Sequence, residues 1–220
     1  VTKHLFLYGG DPTLEEPGRE FAKLAGGEDG SVVLLILRRE GWESYLPRYT
    51  EVWKKEGLTQ IDVVMDREDG RLDVEEAVRL IKKATGIFIG GGDTGRYHEL
   101  YTQSRVKEAI RSQVSDGIPF GGNSAGALIA PEKCLISPND SEDGEPKQLE
   151  GLGLITSLGV AVHYTEWDEE KPFREALDRA KLSDGIGIDE QACAYLKNGR
   201  IERTYGENVH TVSGRDLFRF

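Results

Sequence analysis

The chain has 220 residues, 38% of them hydrophobic and 30% charged, and its 39 acidic against 28 basic side chains give a formal net charge of -11. That length suits one sizeable core, so a single α/β domain over 1–220 is expected, and a field of that sign repels phosphate backbones, which argues against nucleic acid as a partner. No apolar run reaches the roughly 18 residues of a membrane span, and Val1 to Leu7 lacks the marks of a signal peptide, so a cytoplasmic location is expected unless a leader has already been removed.

Apolar runs of strand length alternate with helical patterns along the first half of the chain. His4 to Tyr8, Val32 to Leu37, Ile61 to Val64, Ile87 to Ile89 and Ile118 to Phe120 read as strands. Between them Leu14 to Leu24, Trp42 to Lys55, Val74 to Lys83 and Val106 to Val114 read as covering helices, the last three with apolar residues three and four apart. Strands that are apolar throughout belong to a parallel sheet buried on both faces. The fold class is therefore α/β: a three-layer αβα sandwich around a mostly parallel, flavodoxin-like sheet.

Ser137 to Glu150 breaks this rhythm. It is rich in Asp, Glu, Pro and Ser and reads as an exposed, mobile loop. Beyond it Gly159 to His163 and Gly185 to Asp189 read as strands around a short helix, Phe173 to Ala180. Ala192 to Leu196, Ile201 to Tyr205 and Val209 to Val212, with a turn at Asn198-Gly199, predict a hairpin-rich antiparallel end on the edge of the main sheet. Cys134 and Cys193 stand far apart without CxxC or CxxH spacing, which points to core residues rather than a zinc site or a disulfide framework.

The chemistry concentrates where strands end. Gly122-Asn123-Ser124-Ala125-Gly126 matches G-x-S-x-G between an apolar strand and an apolar helical start, the context in which a strained turn lifts a serine hydroxyl above a strand's carboxyl edge. The competing reading makes Ser124 a simple helix cap. A second glycine cluster, Gly90-Gly91-Gly92-Asp93, also follows a strand, so Gly91 or Gly92 offers one oxyanion N–H and Ala125 the other.

A serine hydroxyl needs a base. His163 ends the run Leu158 to Val162 at the same sheet edge as Ser124 and is favoured over His98, the reserve, and over His4 and His210. For the carboxylate that orients it, Asp189 and Glu190 follow a strand, with Asp140 and Asp143 as alternatives. Spacing does not choose among them.

With these motifs in this order, the chain resembles the peptidase E and cyanophycinase family of serine peptidases, over roughly residues 85 to 195. The resemblance implies a fold like the class I glutamine amidotransferases with serine in place of the nucleophilic cysteine. It also implies a triad of Ser124, His163 and Glu190, an oxyanion hole from Gly91, Gly92 and Ala125, and cleavage of α- or β-aspartyl dipeptides. Asp93 and Asn123, beside the two glycine motifs, and Arg174 are expected at the substrate, with Arg96 and Lys171 as other partners for a substrate carboxylate. Asp93 is closer to cyanophycinases than to peptidase E, which usually carries Asn there. The arginines that usually follow the cyanophycinase histidine are replaced by the acidic stretch Tyr164 to Glu170. The expected partner is a small peptide, with no cofactor or metal, and a homodimer is left open. The rival functions are amidotransferase-like amide hydrolysis, which predicts cysteine at the elbow, and a non-enzymatic small-molecule binder or sensor.

Overall fold

The computed structural model describes residues 1–213. In chain order the strands are β1 (His4–Tyr8), β2 (Ser31–Leu35), β3 (Gln60–Val64), β4 (Gly86–Ile89), β5 (Phe120–Asn123), β6 (Lys133–Ile136), β7 (Lys147–Glu150), β8 (Leu158–Val162), β9 (Asp184–Ile188), β10 (Ala192–Lys197), β11 (Arg200–Gly206) and β12 (Val209–Ser213). The helices are α1 (Glu15–Leu24), α2 (Trp42–Tyr45), α3 (Pro47–Lys55), α4 (Val74–Lys83), α5 (Thr94–Tyr101), α6 (Ser104–Ser115), α7 (Ala125–Leu128) and α8 (Glu170–Ala180).

The main sheet has the order β11-β10-β1-β5-β4-β2-β3. Its five strands from β1 to β3 are parallel, and the β10–β11 hairpin continues it antiparallel from β1. Side-chain alternation sorts these strands between two cores. Leu5, Leu7, Val33, Leu35, Ile87 and Ile89 face α4 to α7, whereas Phe6, Tyr8, Val32, Leu34 and Phe88 face α1 and α3. Phe88 centres the second layer, its ring 5.1 to 5.7 Å from those of Tyr8, Phe21, Tyr49 and Trp53. Neighbouring β5 passes it only as glycine, because a Cβ on Gly121 would lie 2.3 Å from that ring.

Local signals set the element ends. Asp73 caps α4 by accepting from the Glu76 N–H at 3.1 Å, and that helix carries Glu75 and Glu76 in its first turn and Lys82 and Lys83 in its last, in line with the macrodipole. The single helix expected over Trp42 to Lys55 is instead two, because Pro47 has no amide hydrogen to donate and starts a helix of its own.

Two other expectations change. The segment Ser137 to Glu150 is not all loop: β7 pairs antiparallel with β6, and Leu149 packs on the main core. The polar residues around that one leucine hid a strand. The third terminal strand, β12, does not join the main sheet's edge but pairs with β9 in a small sheet of order β12-β9-β8. Val160, Val162, Ile186 and Ile188 of this sheet join the main core, and α8 covers its other face at a distance only glycine permits, since a Cβ on Gly185 would lie 2.6 Å from Phe173. β8 and β9 thus end close to the carboxyl edge of β1. Both cysteines are buried, and among the described residues no helix is long and apolar enough to cross a membrane.

Candidate active site

Between the end of β5 and the start of α7 the chain reverses within one residue, Ser124. It does so at φ 51° and ψ -105°, a conformation that costs an L-residue about 1–3 kcal/mol. Glycines make the reversal feasible: a Cβ on Gly122 would lie 2.5 Å from the Gly126 backbone, and one on Gly126 2.3 Å from the Ile89 carbonyl oxygen. Hydrogen bonds hold it, with the Ser124 N–H donating to the Tyr8 carbonyl at 3.0 Å and the Gly126 N–H to that of Gly90 at 3.1 Å.

Ser124 Oγ lies 2.8 Å from His163 Nε2, and His163 Nδ1 lies 2.9 Å from Glu190 Oε1. An ionised carboxylate only accepts, so Nδ1 carries the imidazole proton and Nε2 is left to accept from Ser124. His163 is itself at φ 48°, with its N–H on the Gly9 carbonyl at 3.1 Å and the Trp167 ring stacked on it at 4.1 Å. Room for the imidazole comes from Gly10, where a Cβ would lie 2.7 Å from His163 Cε1. Glu190 is pinned through its backbone, its N–H donating to the Glu166 carboxylate and its carbonyl accepting from Asp11 at 2.9 Å. Gly9, Gly10 and Trp167 were missed in the sequence. The signal available was a glycine pair directly after the first parallel strand.

The other candidates are engaged elsewhere. His4 Nδ1 is 2.6 Å from the Tyr195 hydroxyl at the opposite end of β1, and His98 Nε2 is 2.7 Å from the Glu150 carbonyl. Asp189 is buried, and its Oδ1 accepts from the Thr165 hydroxyl at 2.7 Å, the Thr165 N–H at 3.1 Å and His210 Nε2 at 3.1 Å. Burial pushes its carboxyl up, but the bonds from Thr165 and His210 outweigh that and hold it below its ordinary value. Asp140 accepts from the Thr94 hydroxyl at 2.6 Å, and burial holds it above the ordinary carboxylate value. Asp143 accepts from the Ser141 hydroxyl at 2.6 Å. Among the four acids considered, Glu190 is the one bonded to His163.

For the oxyanion, the two glycines divide. The Gly91 N–H is engaged, donating to the Tyr49 hydroxyl at 3.0 Å, whereas those of Gly92 and Ala125 have no partner among the described residues. Burial pushes the Tyr49 phenol up to about 12, keeping it neutral. Asn123 is buried with its Oδ1 left without a hydrogen bond. Asp93 caps α5, accepting from the Arg96 N–H at 2.9 Å.

The structure does not bring the expected basic residues to Ser124. Arg174 lies 3.5 Å from Glu170 and borders a hollow with Tyr164, Thr165 and His210 but not with Ser124, His163 or Glu190. Arg96 bonds Glu99, Asp66 and the Gly70 carbonyl, and Lys171 is exposed. Among the described residues no group of three or more His, Cys, Asp or Glu side chains is placed to hold a metal ion.

Known proteins resemble this chain in sequence and in fold. A cyanophycinase of Synechococcus elongatus is 26% identical over 203 residues, covering 90% of this chain and 63% of its own length, so the chain spans less than two thirds of that relative. A peptidase E of Shewanella amazonensis is 30% identical over 172 residues, covering 73% of this chain and 68% of its own. The crystal structure of a peptidase from an acI-B1 Actinobacterium superposes with a TM-score of 0.73 at 22% identity, over 96% of this chain and 91% of that one, which establishes the common fold. Residues 8–204 match the profile of Peptidase family S51, and with nearly the whole described chain inside that match, the protein belongs to this family of serine peptidases.

Proposed function

We propose that the chain is a serine peptidase that hydrolyses short peptides through an acyl-enzyme, with Ser124 as nucleophile, His163 as general base and acid, and Glu190 as the group that orients the ring. The observation that carries this is the unbroken line from Ser124 Oγ through both ring nitrogens to Glu190, at 2.8 and 2.9 Å, rooted in a strained elbow. Ser124 attacks the scissile carbonyl while Nε2 takes its proton. The tetrahedral oxyanion draws on the Ala125 and Gly92 N–H groups, and His163 returns the proton to the leaving amine. Water then repeats the cycle on the ester. The substrate class is an N-terminal aspartyl dipeptide, α- or β-linked; the relatives named peptidase E and cyanophycinase support it.

Replacing Ser124 by Ala is expected to lower kcat on an Asp-X dipeptide by about four orders of magnitude or more, with an unchanged circular dichroism spectrum. A variant that keeps its turnover in a clean preparation ends this mechanism. Dipeptide binding without turnover by the unmodified protein would instead favour the binder or sensor.

A further inference from the structure

Beside the glycine loop, a cavity of about 220 Å³ opens between the chain after β2 and the α2–α3 pair. Leu37, Trp42, Tyr45, Tyr49 and Tyr97 wall it, and it borders Gly91, Gly92 and Asp93. This is immediately next to the nucleophile: Ser124 Cβ lies 3.2 Å from where a Gly91 Cβ would stand.

Sheet order says which part of a substrate belongs there. β5, which carries Ser124, lies between β1 and β4, with β2 beyond β4. His163 docks on Gly9, just past β1, and it must face the leaving amine to protonate it. The cavity is built past β4 and β2, on the opposite side. It therefore faces the acyl half of the scissile bond.

Charge says what that half carries. Three arginines approach this region. Arg38 also lines the cavity, but its guanidinium is tied down through Nε on the Asp66 carbonyl at 2.8 Å while its main-chain N–H bonds Asp66 Oδ1 at 2.7 Å, and Arg48 lies 3.7 Å from Asp11. Arg39, which lines the cavity, stacks its guanidinium 4.4 Å from the Tyr45 ring centroid and has no carboxylate partner among the described residues. In a chain of net charge -11, a guanidinium left without an acid next to an apolar cavity is poised for an incoming carboxylate. Asp93 on the same lining supplies the opposite sign, which suits an ammonium.

We infer that this cavity is the acyl-side subsite and that Arg39 holds the carboxylate of an acidic amino-terminal residue, with room for glutamyl as well as aspartyl. This rests on the peptidase reading above. The test compares kcat/KM on Asp-Leu and Glu-Leu with that on the near-isosteric Asn-Leu and Gln-Leu, in the unmodified enzyme, Arg39→Met and Arg39→Lys. Acid over amide is expected to be favoured by about a hundredfold, falling to about threefold or less in Arg39→Met and partly restored in Arg39→Lys. An Arg39→Met enzyme that keeps the preference, or that loses acid and amide substrates in equal proportion, overturns the inference. Calorimetric titration of Ser124→Ala, with and without Arg39→Met, by Asp-Leu and Asn-Leu separates the two readings. Discrimination that depends on Arg39 in binding, without turnover by the unmodified chain, upholds the subsite and removes the peptidase.

Discussion

Asp189 and Glu190 are neighbours in sequence at the end of β9, yet they serve two different histidine clusters. Glu190 reaches His163, whose other nitrogen meets the Ser124 hydroxyl; Asp189 meets His210 and the Thr165 hydroxyl on a single oxygen. Both clusters contain a hydroxyl, an imidazole and a carboxylate, and only their order differs. In the first the imidazole lies between the other two, so a proton can pass from oxygen to nitrogen. In the second the carboxylate is the hub and both partners donate to it; His210 Nε2 also lies 3.3 Å from the Thr165 hydroxyl, but the proton it gives to Asp189 leaves it unable to accept another. The clusters differ in burial too, with the Glu190 side chain 41% exposed and that of Asp189 3%. The Asp189 cluster ties the turn after His163 to the end of β9 and to β12, and so locates the segments on which the first is built. What sets the proposed triad apart from its neighbour is connectivity and strain, not residue type.

Exchanging each carboxylate for its amide tests that division most severely. Glu190→Gln leaves His163 without an anion on Nδ1, and kcat is expected to fall by about a hundredfold to ten-thousandfold with the melting temperature little changed. Asp189→Asn loses part of a buried three-bond hub, so thermal or denaturant unfolding is expected to show about 1–3 kcal/mol of destabilisation and a much smaller change in kcat. The pH dependence has a definite sign. The folded carboxyl of Asp189 is held below its ordinary 3.8, so its contribution is present above that value and lost as pH falls through the lower, folded one. The gap between the unmodified chain and Asp189→Asn should therefore close in acid. Equal losses of turnover in the two variants would erase the distinction between clusters.

A smaller effect is expected at Gly10. A methyl there would stand 2.7 Å from His163 Cε1, so Gly10→Ala should displace the ring and lower kcat about tenfold to a hundredfold, in keeping with the sensitivity of proton transfer to geometry. Nothing in the second cluster is touched by this change. A Gly10→Ala enzyme with normal turnover would mean that His163 tolerates a different seat.

The parallel strands and most covering helices were legible because burial on both sheet faces leaves continuous apolar runs, and Val74 to Lys83 even matches the observed α4. The Ser124 elbow was legible because a strand-to-helix reversal needs glycines. Periodicity could not reveal β7, whose one apolar residue, Leu149, gives no pattern, nor that β12 would pair with β9, since an edge strand reads the same beside either sheet. It could not separate Asp189 from Glu190 either: adjacent residues at a strand end point apart, so spacing is silent on which meets His163, and only the family resemblance named Glu190. Arg39 was invisible for a related reason. Its lack of a carboxylate partner is a property of three dimensions, while Arg174 and Arg96 looked equally available along the chain.

Asp140 sharpens the comparison from a third side, as a carboxylate bonded to a hydroxyl, that of Thr94, with no imidazole in the pair. Burial raises its carboxyl above the ordinary 3.8, so the folded state disfavours its charge, in contrast to Asp189, where hydrogen bonds outweigh burial. The linkage sign is accordingly opposite: the penalty is absent below 3.8 and grows as pH rises through the folded value, and it is present in full at neutral pH. Asn at this position keeps an acceptor for Thr94 without the charge. Asp140→Asn should thus melt about 1–2 °C higher than the unmodified chain at pH 7, a gain that disappears in acid, while kcat on the Asp-X dipeptide stays within about threefold. A drop in kcat as large as that of Glu190→Gln would instead make Asp140 a working partner of His163, and the Ser124 cluster would then contain two acids rather than one.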